Sequence, residues 1–420
     1  MRSRRRAERV APSDRLGRNL NDEPFGPWKR DRPQRPGRIT RSAPFHAYPA
    51  SQGARRTGLP VTVIAAPLNP TAQGPLADED ARTEDAKLAR EVARHCAAFR
   101  EPIPRMAFRQ VADTLLPYLI LCAVMLGAAA NGYALLALPL AVPAGGLLVR
   151  LFIIQHDCGH GSFLPSRRGN DGLGRALSLL TVTPYDSWKR AHALHHATTG
   201  DLSRRGTGDV HTLTVREYLA LPRWGRLRYR LYRNPLILIV LGSPINFLIL
   251  QRLPTGVGLP WRTAWRDVLA LDAVLFAAFA VLALAVGGIG PVLWVFLPVI
   301  AVAAWVGGWL FYVQHQYEET VWEEADAWDF HRVALGGSSY YALPRVLQWF
   351  TGNVGLHHVH HLNSRIPNYR LQECLDGHEV LGRVGRLTLR DSLRCLKLAL
   401  WDEEARKMVG FARVRGLQAA

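Results

Sequence analysis

Four long apolar segments constrain the fold of this 420-residue chain more than any other feature of its sequence. They occur as two pairs, and each pair is split by a short break, at Asn131-Gly132 and at residues 287–291. A helix needs about 20 residues to cross about 30 Å of hydrocarbon, and each segment has about that length. We therefore predict an all-α integral membrane protein in which four transmembrane helices form two hairpins beneath a cytosolic helical cap. The predicted spans cover about residues 112–130, 133–154, 268–286 and 291–313.

The distribution of basic residues predicts the direction of the spans. The formal net charge is +18 and comes mainly from arginine. The hairpin loops around residues 131 and 289 contain no Lys or Arg, whereas the sequence outside the hairpins is rich in both. Because positively charged loops stay in the cytoplasm, we expect both termini and residues 155–267 to be cytoplasmic. We expect a multi-pass protein of a bacterial inner membrane, and five cysteines without paired spacing fit a reducing compartment.

The two ends of the chain differ in composition from its centre. Residues 1–85 are rich in Arg, Pro and Gly and lack a sustained apolar period, which predicts a disordered basic tail. No apolar stretch follows the arginines near the N-terminus, so we do not expect a cleaved signal peptide. We place a membrane domain at residues 86–400 and a C-terminal tail at residues 401–420.

One stretch of basic and aromatic residues, 216–233, allows two interpretations. Arginines alternate there with Tyr and Trp, a composition that proteins binding single-stranded nucleic acid also use. The stretch directly precedes an apolar segment, however, and Trp and Tyr favour the headgroup layer of a membrane. We therefore predict a membrane-surface anchor and no nucleic acid partner.

Nine of the 15 histidines lie in three short clusters. Histidines spaced i, i+3 and i+4 lie on one face of a helix, so the imidazoles of a cluster can face a common object. Neutral imidazole is the commonest protein ligand for transition metals, which makes a metal centre the obvious object. The first cluster contains His156 and His160, the second His192, His195 and His196, and the third His357, His358, His360 and His361.

The predicted spans decide whether these clusters can meet. His156 and His160 follow the second span, and His315 follows the fourth. A shorter apolar stretch, residues 235–250, is either a fifth span or a half-inserted segment. If it crossed the membrane, His315 and the third cluster would lie opposite the first two clusters. A single metal centre therefore requires that residues 235–250 do not cross.

The number of candidate ligands implies more than one ion. A single tetrahedral or octahedral ion cannot use nine imidazoles, so we predict at least two ions and no catalytic residue separate from the metal centre. Nitrogen ligands suit Zn, Cu, Fe and Ni, and ligand type alone does not choose among them. The candidates are His156, His160, His192, His195, His196, His315, His357, His360 and His361.

Polar residues near these histidines are expected to orient them. A carboxylate that accepts the N–H of a ligand imidazole fixes the orientation of its ring. His358 departs from the His-x-x-His-His spacing, so we expect it to support its neighbours or the fold. The candidates for this supporting role are Asp157, Asp201, Asp209, Glu318, Asn353 and His358.

The histidine clusters and their flanks resemble those of the membrane-bound fatty acid desaturases, most closely the acyl-lipid type that includes delta-12 (omega-6) enzymes. The resemblance covers about residues 100–375, and three clusters in this order with these flanks form a specific signal. The matching runs extend from His156 to Phe163, from His192 to Asp201, from Gln314 to Glu318, and from Gly352 to Leu362.

The resemblance implies a di-iron centre at the cytosolic membrane surface, with the nine candidate histidines as its ligands. It also implies that O2 is the co-substrate and that an acyl methylene pair loses two hydrogens to leave a cis double bond. Desaturases of known structure hold a water through an asparagine four residues before the isolated histidine. Phe311 stands at that position here, so this role is not carried over.

The electron source and the substrate follow from the same resemblance. The sequence contains no haem-binding or cytochrome b5-like segment, no Gly-x-Gly-x-x-Gly run after a strand and no cysteine cluster for an iron–sulfur centre. We therefore expect electrons from ferredoxin or a similar separate protein. The expected substrate is an acyl lipid, or another acyl compound, in the membrane.

Other activities remain open at the level of sequence. A fatty-acyl hydroxylase, an acetylenase or a carotenoid oxygenase would use the same scaffold. A bis-histidine haem electron carrier is a more distant alternative, since clustered histidines at helix ends would leave most of its ligands unused. The sequence does not fix the double-bond position, the acyl carrier, the reductant or the oligomeric state.

Overall fold

The computed structural model describes residues 75–206, 208–253 and 259–414. In chain order the helices are α1 (Pro75–Cys96), α2 (Pro104–Ala130), α3 (Ala134–Ala137), α4 (Ala141–His160), α5 (Arg167–Thr181), α6 (Tyr185–Thr198), α7 (Val215–Ala220), α8 (Arg223–Tyr232), α9 (Gly242–Leu248), α10 (Trp261–Ala285), α11 (Ile289–His315), α12 (Phe330–Gly336), α13 (Arg345–Phe350), α14 (His357–Leu362), α15 (Leu371–Asp376) and α16 (Leu389–Cys395). The strands are β1 (Leu213–Thr214), β2 (Tyr340–Tyr341), β3 (Arg386–Leu387), β4 (Leu400–Asp402) and β5 (Lys407–Val409).

Four helical stretches in the described residues are long and apolar enough to cross a membrane, as the sequence predicts. The second and fourth continue as unbroken helix to His160 and His315, so these histidines lie in the last turns of the spans. Helix α4 ends there because Gly161 adopts the left-handed conformation, with φ of 67°, that caps a helix C-terminus. The spans are Pro104–Ala130, Ala134–His160, Trp261–Ala285 and Ile289–His315.

The apolar stretch 235–250 does not form a straight helix. Helix α8 and residues Leu236–Arg252 meet at an angle of 60°, and the latter begin with a π-helical turn. Helix α10 starts on the same side as the metal-candidate histidines, since Asp267 Oδ2 accepts a 2.8 Å hydrogen bond from the backbone N–H of Ser187 in α6. The chain therefore leaves α4 and enters α10 on one side of the bundle, which fits a half-inserted segment and not a fifth span.

The half-inserted segment packs closely on the fourth span. A Cβ atom added at Gly308 would lie 1.9 Å from Ser243 Oγ, so only glycine allows α9 and α11 to approach this closely. Trp305 Nε1 of α11 donates to the carbonyl of Val240 at 2.9 Å, which satisfies one backbone acceptor of the bent segment. These contacts fix the segment beside the end of α11 that carries His315.

The structure describes only the last part of the N-terminal tail predicted for residues 1–85. Residues 1–74 lie outside the described residues, but α1 begins at Pro75, before the boundary drawn at residue 85. Ala89, Val92 and Cys96 of α1 are fully buried in a cluster with Leu335 and Val359. These three small side chains alternate with charged residues, a pattern too sparse to predict a buried helix.

Part of the C-terminal tail predicted for residues 401–420 lies in a small sheet in the described residues. Strand β4 pairs in parallel with β1 and in antiparallel with β5, with Leu400 opposite Leu213 and Val409. Trp401 and Met408 are buried against Trp322. Strands of two or three residues are too short to show an alternating pattern, so the sequence did not predict this small sheet within the otherwise helical cap.

The arrangement of spans predicts the accessibility of introduced cysteines. Asn131 lies in the first hairpin loop, whereas Arg168 and Asn246 lie on the cap side, and all three are exposed. We expect a membrane-impermeant maleimide to label Asn131→Cys from one side of the membrane and Arg168→Cys from the other. Asn246→Cys should never be labelled from the side that reaches residue 131.

The five native cysteines are buried and give little background in this experiment. Labelling of residues 131 and 168 from the same side would refute the hairpin arrangement. Labelling of residues 246 and 131 from the same side would show that the bent segment crosses the membrane.

Candidate metal centre

Four helices bring the histidines of all three clusters into one buried region. They are the ends of α4 and α11, the second half of α6, and α14. Nine imidazoles collect there in two groups, and within each group the potential ligand atoms lie within 4.8 Å of one another. The five-histidine group contains His156, His160, His192, His196 and His360, and the four-histidine group contains His195, His315, His357 and His361.

The two groups adjoin each other. The rings of His196 and His361, one from each group, are stacked with centroids 4.1 Å apart. Helix α6 supplies both groups, since His192 and His196 turn to one and His195 to the other. Helix α14 does the same with His360 on one side and His361 on the other. Two helices with i, i+3, i+4 spacing therefore divide their imidazoles between two neighbouring positions.

The spacing of the ring nitrogens fits metal coordination. Nε2 of His196 lies 3.1 Å from Nε2 of His192 and from Nε2 of His360. In the four-histidine group, Nε2 of His357 lies 3.0 Å from that of His315 and 3.1 Å from that of His361. Two nitrogens bound to one ion at about 2.1 Å are about 3.0 Å apart when the bonds meet near a right angle, and about 3.4 Å apart in a tetrahedron. The observed spacing of 3.0–3.1 Å is close to that of two ligands of one ion.

Two Nε2 atoms of the candidate ligands have no hydrogen-bond partner in the described part of the protein. Among the described residues, the buried Nε2 atoms of His160 and His195 form no hydrogen bond. A buried polar atom without a partner is costly and requires an explanation. One of these atoms belongs to each group, so a bound ion in each group would satisfy both.

Three of the imidazoles are held in the form that leaves Nε2 free to bind a metal. Nδ1 of His156 donates to Asp157 Oδ1 at 3.0 Å, and Nδ1 of His195 donates to Asp209 Oδ1 at 2.6 Å. Nδ1 of His315 donates to the carbonyl of Gly337 at 3.0 Å. A neutral imidazole that carries its proton on Nδ1 presents an unprotonated Nε2, which is the ligand form.

The surroundings also favour the neutral form of the imidazoles. Burial lowers the pKa of His192, His196, His357, His360 and His361 well below the usual value, and neighbouring imidazoles lower it further. Protonation of any one of them would place a buried cation among other imidazoles. The lowered pKa values therefore favour the neutral form of these five imidazoles, which is the form that binds a metal.

Comparison with known proteins identifies the family. The model of the fatty acid desaturase family matches residues 88–383, which is most of the chain. A fatty acid desaturase of Bacillus subtilis is 39% identical over 330 residues, which cover 79% of this chain and 93% of the relative. The chain belongs to the fatty acid desaturase family. It is therefore an enzyme, an oxidoreductase of lipid metabolism.

More distant relatives carry more specific names. The sn-1 oleoyl-lipid 12-desaturase of Anabaena variabilis is 27% identical over 294 residues, which cover 64% of this desaturase and 77% of the relative. The sn-1 acyl-lipid omega-3 desaturase (ferredoxin) of Synechocystis is 28% identical over 244 residues, with coverages of 55% and 64%. The sequence identity is thus nearly the same to two relatives that are named for different double-bond positions.

The structure places only two of the predicted supporting carboxylates against histidines. Asp157 and Asp209 accept from His156 and His195, as described above. Asp201 is fully buried but accepts from the backbone N–H and hydroxyl of Ser203, so it stabilises the loop after α6. Glu318 is exposed and pairs with Lys407 at 2.7 Å. The structure therefore does not bring Asp201 or Glu318 against a candidate ligand histidine.

The other two supporting candidates act on the fold. His358 is fully buried, and its Nε2 lies 2.8 Å from the carbonyl of Leu381, which directs the ring away from both histidine groups. Asn353 has a φ of 57°, a left-handed conformation that asparagine tolerates, and its Nδ2 donates to the carbonyl of Asn368 at 3.2 Å. Asn353 connects the segments before and after α14, and His358 connects α14 to the segment that contains Leu381.

Two aromatic residues contact the candidate ligands, a role that the sequence analysis did not predict for Trp188 or for Phe311. Trp188 stacks on His192 with centroids 4.8 Å apart, and Phe311 lies 5.4 Å from His195 and 5.6 Å from His315. Each stands four residues before a histidine on the same helix, so the i, i+4 rule could have found both. Gly337 also touches the site, but its carbonyl comes from a distant segment and gives no signal in the sequence.

The lowered pKa values predict an acid-sensitive metal-free protein. The unfolded chain binds more protons than the folded one once the pH falls below the usual histidine pKa of 6.5. The free energy of unfolding should therefore decrease on acidification, by at most about 1.4 kcal/mol per pH unit for each such histidine. Thermal unfolding in a chelating buffer between about pH 7.5 and pH 5 measures this slope.

A variant with one titrating imidazole fewer provides the comparison. His196→Gln should show a shallower decrease in melting temperature over the same pH range. A wild-type melting temperature that does not change with pH would contradict the assignment of buried neutral imidazoles.

Proposed function

We propose that this desaturase introduces a cis double bond into the acyl chains of membrane lipids, using O2 and a di-iron centre held by nine histidines. The observation that carries the proposal is the pair of adjoining groups, five imidazoles and four, at the ends of two spans. Two bound iron ions would supply the activation of O2 that removes hydrogen from an unactivated C–H bond. Each group would hold one ion through its ring nitrogens.

The chain's own residues would hold these ions with little movement. His156, His160 and His315 lie in the last turns of long helices that are packed in the bundle. Asp157, Asp209 and the Gly337 carbonyl would keep the proton of three imidazoles on Nδ1. Ligands placed in advance on rigid elements reduce the rearrangement that binding and reaction require.

The aromatic residues beside the site would exclude water and guide the acyl chain. Trp188 covers His192, and Phe152 contacts both Trp188 and Phe247 of the half-inserted segment, with centroids 5.3 Å and 5.7 Å apart. These side chains form a continuous apolar contact from the half-inserted segment to the five-histidine group. An apolar surface at this position supports our proposal that the acyl chain reaches the metal centre from the bilayer.

Oleoyl chains are the substrate class that the motifs and one of the named relatives favour. The flanks of the first two histidine clusters resemble acyl-lipid delta-12 enzymes, and the Anabaena relative is named an oleoyl-lipid 12-desaturase. We infer that the product is a diene made from a membrane monoene, with electrons from ferredoxin or a similar separate carrier. We also infer a bacterial inner membrane location with the metal centre on the cytoplasmic side.

The alternatives differ in what the site can accommodate. A bis-histidine haem needs two opposed imidazoles with a flat macrocycle between them. Nε2 atoms 3.0–3.1 Å apart within groups of four and five leave no such gap. A hydroxylase or an acetylenase would use the same ligands, so analysis of the product separates these activities from desaturation.

Replacement of His315 tests the proposed ligand set. His315 is buried and its Nε2 faces that of His357, so His315→Ala should reduce both bound iron and activity, the latter by at least about 100-fold. His331→Ala serves as the control, because His331 lies outside both histidine groups. Iron content and product formation of the purified proteins measure the two effects. A fully metallated, active His315→Ala enzyme would remove His315 from the ligand set.

Expression in a host that makes only monounsaturated lipids tests the reaction. With a ferredoxin system and O2, we expect membrane oleoyl chains to become a cis diene. Deuterium at one carbon of the pair should slow turnover far more than deuterium at the other, because the first C–H cleavage is slow. A hydroxylated product would refute desaturation, whereas a monoene made from saturated chains would refute only the bond position.

A further inference from the structure

A short 3-10 turn, Asn368–Arg370, joins the first span to the metal-candidate region. Its three consecutive side chains each bond to the beginning of α2 or to the segment before it. Arg370 Nη1 donates to the carbonyl of Glu101 at 3.2 Å, and the hydroxyl of Tyr369 accepts from the backbone N–H of Ile103 at 3.0 Å. Asn368 Oδ1 accepts from Nε2 of Gln110 at 2.9 Å.

Asn368 bonds on its other side to the carboxylate beside the first histidine. Its backbone N–H and its Nδ2 donate to Asp157 Oδ2 at 2.6 Å and 2.9 Å. The second oxygen of Asp157 accepts from Nδ1 of His156 at 3.0 Å. A continuous chain of hydrogen bonds therefore runs from Gln110 through Asn368 and Asp157 to His156.

Every member of this chain is almost completely buried. Gln110, Asn368, Asp157 and His156 are exposed by 4%, 2%, 2% and 4%. A glutamine inside a span and a carboxylate beside it are costly unless they are hydrogen-bonded, so each depends on its neighbour. The backbone N–H and the side-chain amide of Asn368 both donate to Oδ2 of Asp157. The other carboxylate oxygen, Oδ1, is therefore directed at His156. Loss of the amide would allow the carboxylate to turn and release the imidazole from its ligand orientation.

We propose that Asn368 is a positioning residue for the five-histidine group and that Gln110 supports it from the first span. This inference rests on the proposed metal centre. It assigns a role to α2, which supplies none of the candidate ligands. The four-histidine group does not depend on this chain, because its supports are Asp209 and the Gly337 carbonyl.

Titration of the metal-free, full-length protein with Fe(II), in competition with a chelator, tests the proposal. The wild type should bind two ions per chain. In Asn368→Ala we expect one of the two affinities to fall about 10- to 100-fold and the other to stay unchanged, since partners of ligand residues have effects of this size. Gln110→Leu, which keeps a similar shape, should weaken the same site by a smaller factor.

Asn170→Ala is the matched control. Asn170 is exposed by 1%, and its amide bonds to the backbone of Leu164 and Ser166 close to the end of α4, but not to Asp157. This variant should lose thermal stability while both iron affinities stay at the wild-type value. Unchanged iron binding in Asn368→Ala, or an equal loss at both sites, would overturn the positioning role. A wild-type protein that binds no iron would instead refute the metal centre itself.

Discussion

The structure is constrained above all by the burial of nine imidazoles whose ring nitrogens face one another. Nε2 atoms such as those of His315 and His357, 3.0 Å apart, gain little from each other, and the buried Nε2 of His195 has no partner among the described residues. Such an arrangement costs free energy in an otherwise packed protein. A cation in each group would turn this cost into a stabilising contribution, so metal binding and the stability of the cap would be linked.

The membrane spans provide the rigidity that this arrangement needs. Helices α4 and α11 deliver histidines in their last turns, and their packed apolar residues fix where those turns lie. The half-inserted segment keeps α10 on the same side as α6, which allows the third cluster to meet the first two. Asp157 and Asp209 then orient individual rings. The hydrophobic bundle thus sets the position of the histidines, and a few buried hydrogen bonds set the orientation of their rings.

The features that depend on hydrophobic length or on helical periodicity were predictable from the sequence. The four spans and the shared face of His192 and His196 follow from hydrophobic length and helical spacing, and the common side of the clusters follows from counting the spans. No comparable rule predicts where a side chain in a loop points. Asp201 and Glu318 lie five and three residues from the nearest candidate histidine in sequence. In the structure, however, Asp201 closes a loop and Glu318 pairs with Lys407. The contacts of Gly337 and Asn368 cross long distances in sequence and become visible only in the folded chain.

The central claim is that the nine histidines form two adjoining metal positions. Anomalous diffraction from crystals of the iron-loaded protein, measured on either side of the iron absorption edge, tests it most directly. The account predicts two separate iron peaks, one enclosed by the five-histidine group and the other by the four-histidine group. A single peak shared by both groups, or iron bound elsewhere with both groups empty, would contradict it.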